Sequence, residues 1–228
     1  MRSILARAAL ALTLVSFVAP ADAAPITYEF SGFGTGSIGG TPFTDAFVVF
    51  TGTADTANVD VVFGFIYAIP LDTLTVNIAG FGTAILTEPA GVFGIPIAVP
   101  DDMDDEDEFP DFPFVLLGRL DDPPALDGFT GMAATASNAL AGYDLTTAIG
   151  PVAGLGGVGF NEDCEPGDDP CLATSMGVLS FTHNILGDER GGTFTATLQD
   201  EVPEPATLIL MGGGLAAFVR RSRRVARR

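Results

Sequence analysis

From Ala24 to Asp200 no window of a dozen residues carries a convincing helical stripe, and that constrains the fold more than any other property of the chain. Short runs rich in Val, Ile, Thr, Phe and Tyr stand in its place: ITYEFSGF, TPFTDAFVVFTGTA, VDVVFGFIYAI, DTLTVNIAGFGTAILTE, GYDLTTAIGPV, MGVLSFTH and GTFTATLQ. β-Branched and aromatic side chains suit a pleated, half-buried surface, and the Gly, Pro and Asp between the runs supply the turns. Only ALAGYDL and the region near Met132 are doubtful. The expectation is an all-β body over residues 24–200, a β-sandwich of jelly-roll-like or otherwise Greek-key form, long enough for one core. Tyr28, Phe30 and Phe33 alternate imperfectly, Phe47 to Phe50 reads as a run buried on both faces, and the aromatics are assigned to core packing.

The flanks belong to a different chemistry. Residues 1–23 place Arg2 and Arg7 ahead of an apolar run from Ala8 to Ala19, with small Ala21 and Ala23 before Ala24. These three regions in this order predict a secretory signal peptide cut by signal peptidase after Ala23. At the other end Ala206–Val219 carries no charge, but as a helix it reaches only about 21 Å against a hydrocarbon core of about 30 Å. Gly212, Gly213 and Gly214 weaken it further. The six Arg of residues 220–228 fix that end on the cytoplasmic side. The segment reads as a short transmembrane helix that anchors the chain in the inner membrane for a time.

Charge narrows the partners. All ten basic residues are Arg, and only Arg119 and Arg190 fall between the two flanks. Of the 29 acids, all but Asp22, Glu201 and Glu204 fall in residues 24–200, so the body is more acidic than the net −19 of the whole chain. Nucleic acid and anionic lipid surfaces, which require a basic face, are excluded as partners. Cations are favoured.

Val202-Pro203-Glu204-Pro205, followed by the short apolar helix and the Arg cluster, resembles the PEP-CTERM sorting signal of Gram-negative bacteria over residues 201–228. GTGSIGGTPFTDAFVVFTGTADTANVD and GYDLTTAIGPV also look like segments found ahead of such signals in proteins of unassigned function. The resemblance implies recognition by an exosortase, an integral-membrane cysteine protease or transpeptidase, and delivery to the cell surface or the extracellular polysaccharide matrix. Pro203 and Pro205 suit this, since each holds the chain extended for an enzyme to grip.

Within the body, Cys164 and Cys171 in NEDCEPGDDPC are the only cysteines, and export into an oxidising compartment predicts a disulfide between them. His183 is the lone histidine, too few for a thiolate–imidazole metal site or a Cys–His catalytic pair, and reads as structural or exposed. No phosphate-cradling Gly-Lys motif, HExxH or Gly-x-Ser-x-Gly elbow occurs. PDDMDDEDEFPDF offers Asp101, Asp102, Asp104, Asp105 and Asp107 as candidate ligands for calcium, at the weak affinity that suits extracellular sites, although the spacing is no EF-hand. These observations predict a non-enzymatic structural or adhesive component of an exopolysaccharide or biofilm matrix. The rival is a secreted carbohydrate-binding or carbohydrate-active module, against which the absence of Trp counts.

Overall fold

The computed structural model describes residues 24–62, 64–97, 112–120, 131–159, 172–182 and 191–199. They form an all-β structure, a single thirteen-stranded antiparallel sheet, and among them no helix is long and apolar enough to cross a membrane. In chain order the strands are β1 (Pro25–Ile38), β2 (Thr41–Asp55), β3 (Asp60–Val62), β4 (Ile66–Pro70), β5 (Thr73–Ile78), β6 (Gly82–Ile85) and β7 (Ala90–Ile95). After them come β8 (Phe114–Arg119), β9 (Gly131–Ala136), β10 (Ile149–Val158), β11 (Leu172–Thr174), β12 (Gly177–Phe181) and β13 (Gly192–Leu198).

The long β1–β2 hairpin is the backbone of the fold. Its two-residue turn, Gly39-Gly40, has left-handed φ of 56° and 78°, as a primed turn between twisted strands demands, and glycine adopts it without a Cβ penalty. On one side β2 pairs with β5, and β5 with β6; on the other β1 pairs with β13 over Ile26–Ser31 and with β12 over Gly36–Ile38. Gly36 is obligatory at that second junction, because a Cβ there would overlap the backbone carbonyl of Ser180.

The strip of strands folds over at two corners. β10 changes partner along its length, with Ile149–Gly154 facing β13 and Leu155–Val158 facing β9. β4 runs into β5: Pro70 pairs with Gly91 of β7, and two residues later the Asp72 N–H donates to the Thr53 carbonyl at 2.7 Å, so the chain has passed to β2. Strands that switch partners in this way make corners. Between them Ile26, Tyr28 and Phe30 of β1, Phe50 of β2, Val92 of β7, Leu117 of β8, Met132 of β9 and Phe194 of β13 share one core. At the far end the β11–β12 hairpin bridges β1 to β6, where Ser175 N–H donates to Ile85 O at 2.9 Å and Thr87 N–H to Ala173 O at 3.0 Å. Strand β3 lies at the end of the strand order. Asp60 Oδ1 accepts the Val61 N–H there at 2.8 Å, a small protection against edge pairing.

Three differences from the sequence reading have physical causes. VDVVFGFIYAI and DTLTVNIAGFGTAILTE are each a hairpin, β3–β4 and β5–β6, and not single strands. AGVFGI, FVLLGR and GMAATA, absent from the predicted strands, form β7, β8 and β9. A second cluster of Ile66, Phe93, Ile95, Phe114 and Ala136 buries part of their other face, which removes the polar alternation that marks a one-sided strand. Phe47 to Phe50 is not buried on both faces: Val48 and Phe50 are in the core, while Phe47 points outward and is 42 % exposed.

Candidate functional site

Outward-facing residues of β13, β1, β2, β5 and β6 build the most distinctive surface among the described residues. Each strand alternates, its core residues being Tyr28, Phe30, Val48, Phe50, Val76 and Phe194 among others, and register stacks the alternate residues into rungs. The first rung is Thr197–Thr27–Thr53–Thr73, with the Thr53 and Thr73 hydroxyls 2.7 Å apart. The second is Thr195–Glu29–Thr51–Thr75–Ile85, in which the Thr75 hydroxyl donates to Thr51 O at 3.3 Å. The third is Thr193–Ser31–Val49–Asn77–Thr83, closed by Asn77 Nδ2 donating to Thr83 Oγ1 at 2.8 Å.

A fourth rung carries the aromatics. Phe33 and Phe47 are direct cross-strand partners, their rings 5.3 Å apart and inclined at 63°. Phe33 is 52 % exposed, so the two rings present an apolar step beside the hydroxyl rows. Adjacent rungs lie about 6.8 Å apart along the strands and adjacent strands about 4.8 Å apart across them, which sets a two-dimensional grid of hydroxyl and methyl groups. Glu29 is the one ionisable side chain in these rungs. In a chain of net charge −19 the surface is close to uncharged.

Beneath the grid the core is fastened by two tyrosines. Tyr28 donates its hydroxyl to the Leu145 carbonyl at 2.6 Å, and Tyr143 donates to the Thr147 carbonyl at 3.1 Å. Tyr28 stacks on Phe194 with centroids 6.2 Å apart, and Tyr143 meets the same ring edge-on at 5.7 Å. Burial drives the Tyr28 phenol well above its ordinary range, reinforced by Tyr143 and Asp144; burial followed by Asp144 does the same to Tyr143. Both are therefore neutral donors: Tyr28 holds the segment before β10 against β1, and Tyr143 closes that segment on itself. Arg119 forms an ion pair with Glu88 at 3.3 Å.

The residues singled out from sequence occupy other ground. Asp101, Asp102, Asp104, Asp105, Asp107, Cys164, Cys171, His183 and Val202, Pro203, Glu204 and Pro205 lie outside the described residues, as do the leader and the apolar tail. Among the described residues no group of three or more His, Cys, Asp or Glu could hold a metal ion. Sequence reading missed Phe33, Phe47 and the threonine rungs. Their signal was present as Thr at alternate positions, Thr51 and Thr53, Thr73 and Thr75, and Thr193, Thr195 and Thr197, but only strand order and register put those pairs side by side.

No curated protein and no solved structure matches the chain. Residues 201–224 match the PEP-CTERM protein-sorting motif, which marks the protein as exported and directed to an exosortase for processing at the membrane.

Proposed function

We propose that the exported body is a non-enzymatic structural or adhesive component of the cell surface or the exopolysaccharide matrix. In this reading the folded strip is a β-sandwich that meets polymer through the threonine rungs and the Phe33–Phe47 step. The observation that carries it is the near absence of charge on that face in so acidic a chain. Carboxylates elsewhere keep the body soluble and repel polyanions, whereas a grid of hydroxyls and methyls beside exposed rings offers a neutral sugar chain both hydrogen bonds and a flat apolar contact. The sorting motif supports the destination, since it commits the chain to export. Threonine is also an ordinary choice for the solvent face of a sheet, so the exposed Phe pair carries more weight than the rungs alone.

That pair equally favours the neighbouring reading, a carbohydrate-binding module, and turnover separates both from a carbohydrate-active enzyme. Purified mature protein is incubated with the producing organism's own exopolysaccharide, sedimented with it, and the supernatant assayed for reducing ends. Co-sedimentation without release of reducing ends is expected. Release that rises with time refutes the non-enzymatic reading, and failure to sediment refutes adhesion to that polymer.

A further inference from the structure

Every one of the ten basic residues is Arg. Without a lysine, the α-amino group is the only aliphatic primary amine the mature chain can possess. Removal of a leader ending at Ala23 creates that amine on Ala24, directly before β1.

The structure gives Ala24 a particular neighbourhood. Its N–H donates to Thr56 Oγ1 at 3.0 Å, and its carbonyl accepts the Thr56 N–H at 3.1 Å, a two-way clasp between residues 32 positions apart. Pro25, the next residue, pairs with Asp55 but has no N–H to donate, so the first rung of the β1–β2 ladder depends on Ala24. Asp55 commits one carboxylate oxygen, Oδ1, to the Ala57 N–H at 2.9 Å. Asp55 is thus the acid next in sequence to the hydroxyl that accepts from Ala24, and the register partner of the residue that follows Ala24.

We propose that the end of β2 is a seat for the processed amino terminus: the Ala24 ammonium keeps the Thr56 hydroxyl as acceptor and takes the Asp55 carboxylate as its counter-ion. An amide offers a single hydrogen, whereas an ammonium offers three and a full charge. Cleavage therefore converts a neutral contact into a charge-assisted one, shorter and stronger than a neutral hydrogen bond. The sole amine of the mature protein is sequestered, and reagents or aminopeptidases reach it only when the first rung of β1 opens. The inference goes beyond the adhesive reading and rests on residues 1–23 being a cleaved leader.

The test begins with the full-length chain secreted through its own leader and then sequenced from the amino terminus. The rate of acylation of the purified protein by an amine-specific ester at pH 8 is compared with that of a free peptide of residues 24–30. Acylation of the protein about tenfold slower than of the peptide is expected, an opening cost of about 1.4 kcal/mol. Asp55→Asn and Thr56→Val, each checked for an unchanged circular dichroism spectrum, should bring the rate back to within about threefold of the peptide. A native rate equal to the peptide's overturns the seat, and so does a slow rate that neither substitution changes. A first residue other than Ala24 overturns the leader reading instead, and the seat with it, while leaving adhesion through the threonine face untouched.

Discussion

Replacing Tyr28 by Phe should cost stability at neutral pH and cost almost nothing near pH 11. The ring stays in place against Phe194, so the loss at pH 7 is the hydrogen bond to Leu145 O and the desolvated carbonyl left behind, about 1–1.5 kcal/mol. The wild-type phenol carries a second effect. Its folded pKa is raised, chiefly by burial, above the unfolded value near 10. Folded and unfolded chains hold the same proton below pH 10, and the stability is fully present there. Above it the unfolded chain ionises while the folded chain does not, and stability falls as pH climbs toward the folded pKa. At pH 11, one unit past the unfolded pKa, Tyr28 has lost about 1.4 kcal/mol, close to what the hydroxyl contributed. Urea unfolding of wild type and Tyr28→Phe, followed by circular dichroism at pH 7, 9, 10, 10.5 and 11, should give curves that converge. Tyr143 titrates in the same sense, so wild type should lose about 2.7 kcal/mol per pH unit once both phenols are engaged. A gap between the two proteins that stays constant from pH 7 to pH 11 refutes the argument.

Phe33→Ala with Phe47→Ala should reduce retention on the exopolysaccharide at least tenfold and lower the melting midpoint only slightly, since both rings are exposed and their mutual contact is worth about 0.5–1.5 kcal/mol; equal retention shows that polymer is bound elsewhere. Gly36→Ala should destabilise by about 1–3 kcal/mol, measured in urea, because its Cβ meets the Ser180 backbone and not a side chain that can swing away. Alkylation of the exported protein under denaturing, non-reducing conditions should label neither Cys164 nor Cys171, and two labelled thiols refute the disulfide. About 2 mM calcium should raise the melting midpoint if Asp101, Asp102, Asp104, Asp105 and Asp107 coordinate it, and an equal shift with magnesium at the same ionic strength refutes the site.

What the sequence makes legible follows from how many faces of a strand are buried. GTFTATLQ and the Ile26–Ser31 part of β1 alternate because one face meets the core and the other meets water, and both are recovered from β-branched and aromatic content together with that partial alternation. GMAATA is buried at every position. Its strand character has no polar partner residue to reveal it, and small Ala and Gly side chains add little β-propensity. Phe47-Val48-Val49-Phe50 misleads for the opposite reason: four apolar residues in a row suggest two-sided burial, yet an outward Phe is tolerated where Phe33 faces it across the ladder. The face itself is legible only in fragments. Each Thr-x-Thr pair is visible in the chain, but Thr197, Thr27, Thr53 and Thr73 come from segments up to 170 positions apart, and what aligns them is the pairing of β13 with β1.

That same pairing also places the chain ends of the body relative to the threonine face. Ile26 of β1 is the register partner of both Ala54 of β2 and Leu198 of β13, so the first and last strands of the body end side by side. The predicted cut after Ala23 and the sorting motif at residues 201–224 are thus both attached at one end of the β13–β1–β2 ladder. The Gly39-Gly40 turn marks the other end of β1, thirteen residue steps from Pro25, roughly 43 Å at strand rise. Phe33 falls past the middle of that length, eight residues from Pro25 and five from Ile38, with Phe47 opposite it on β2. Removing the leader costs the face nothing, because none of the four rungs includes Ala24 or Pro25. The sorting motif at residues 201–224 likewise contributes to none of the four rungs, so the face is built without it.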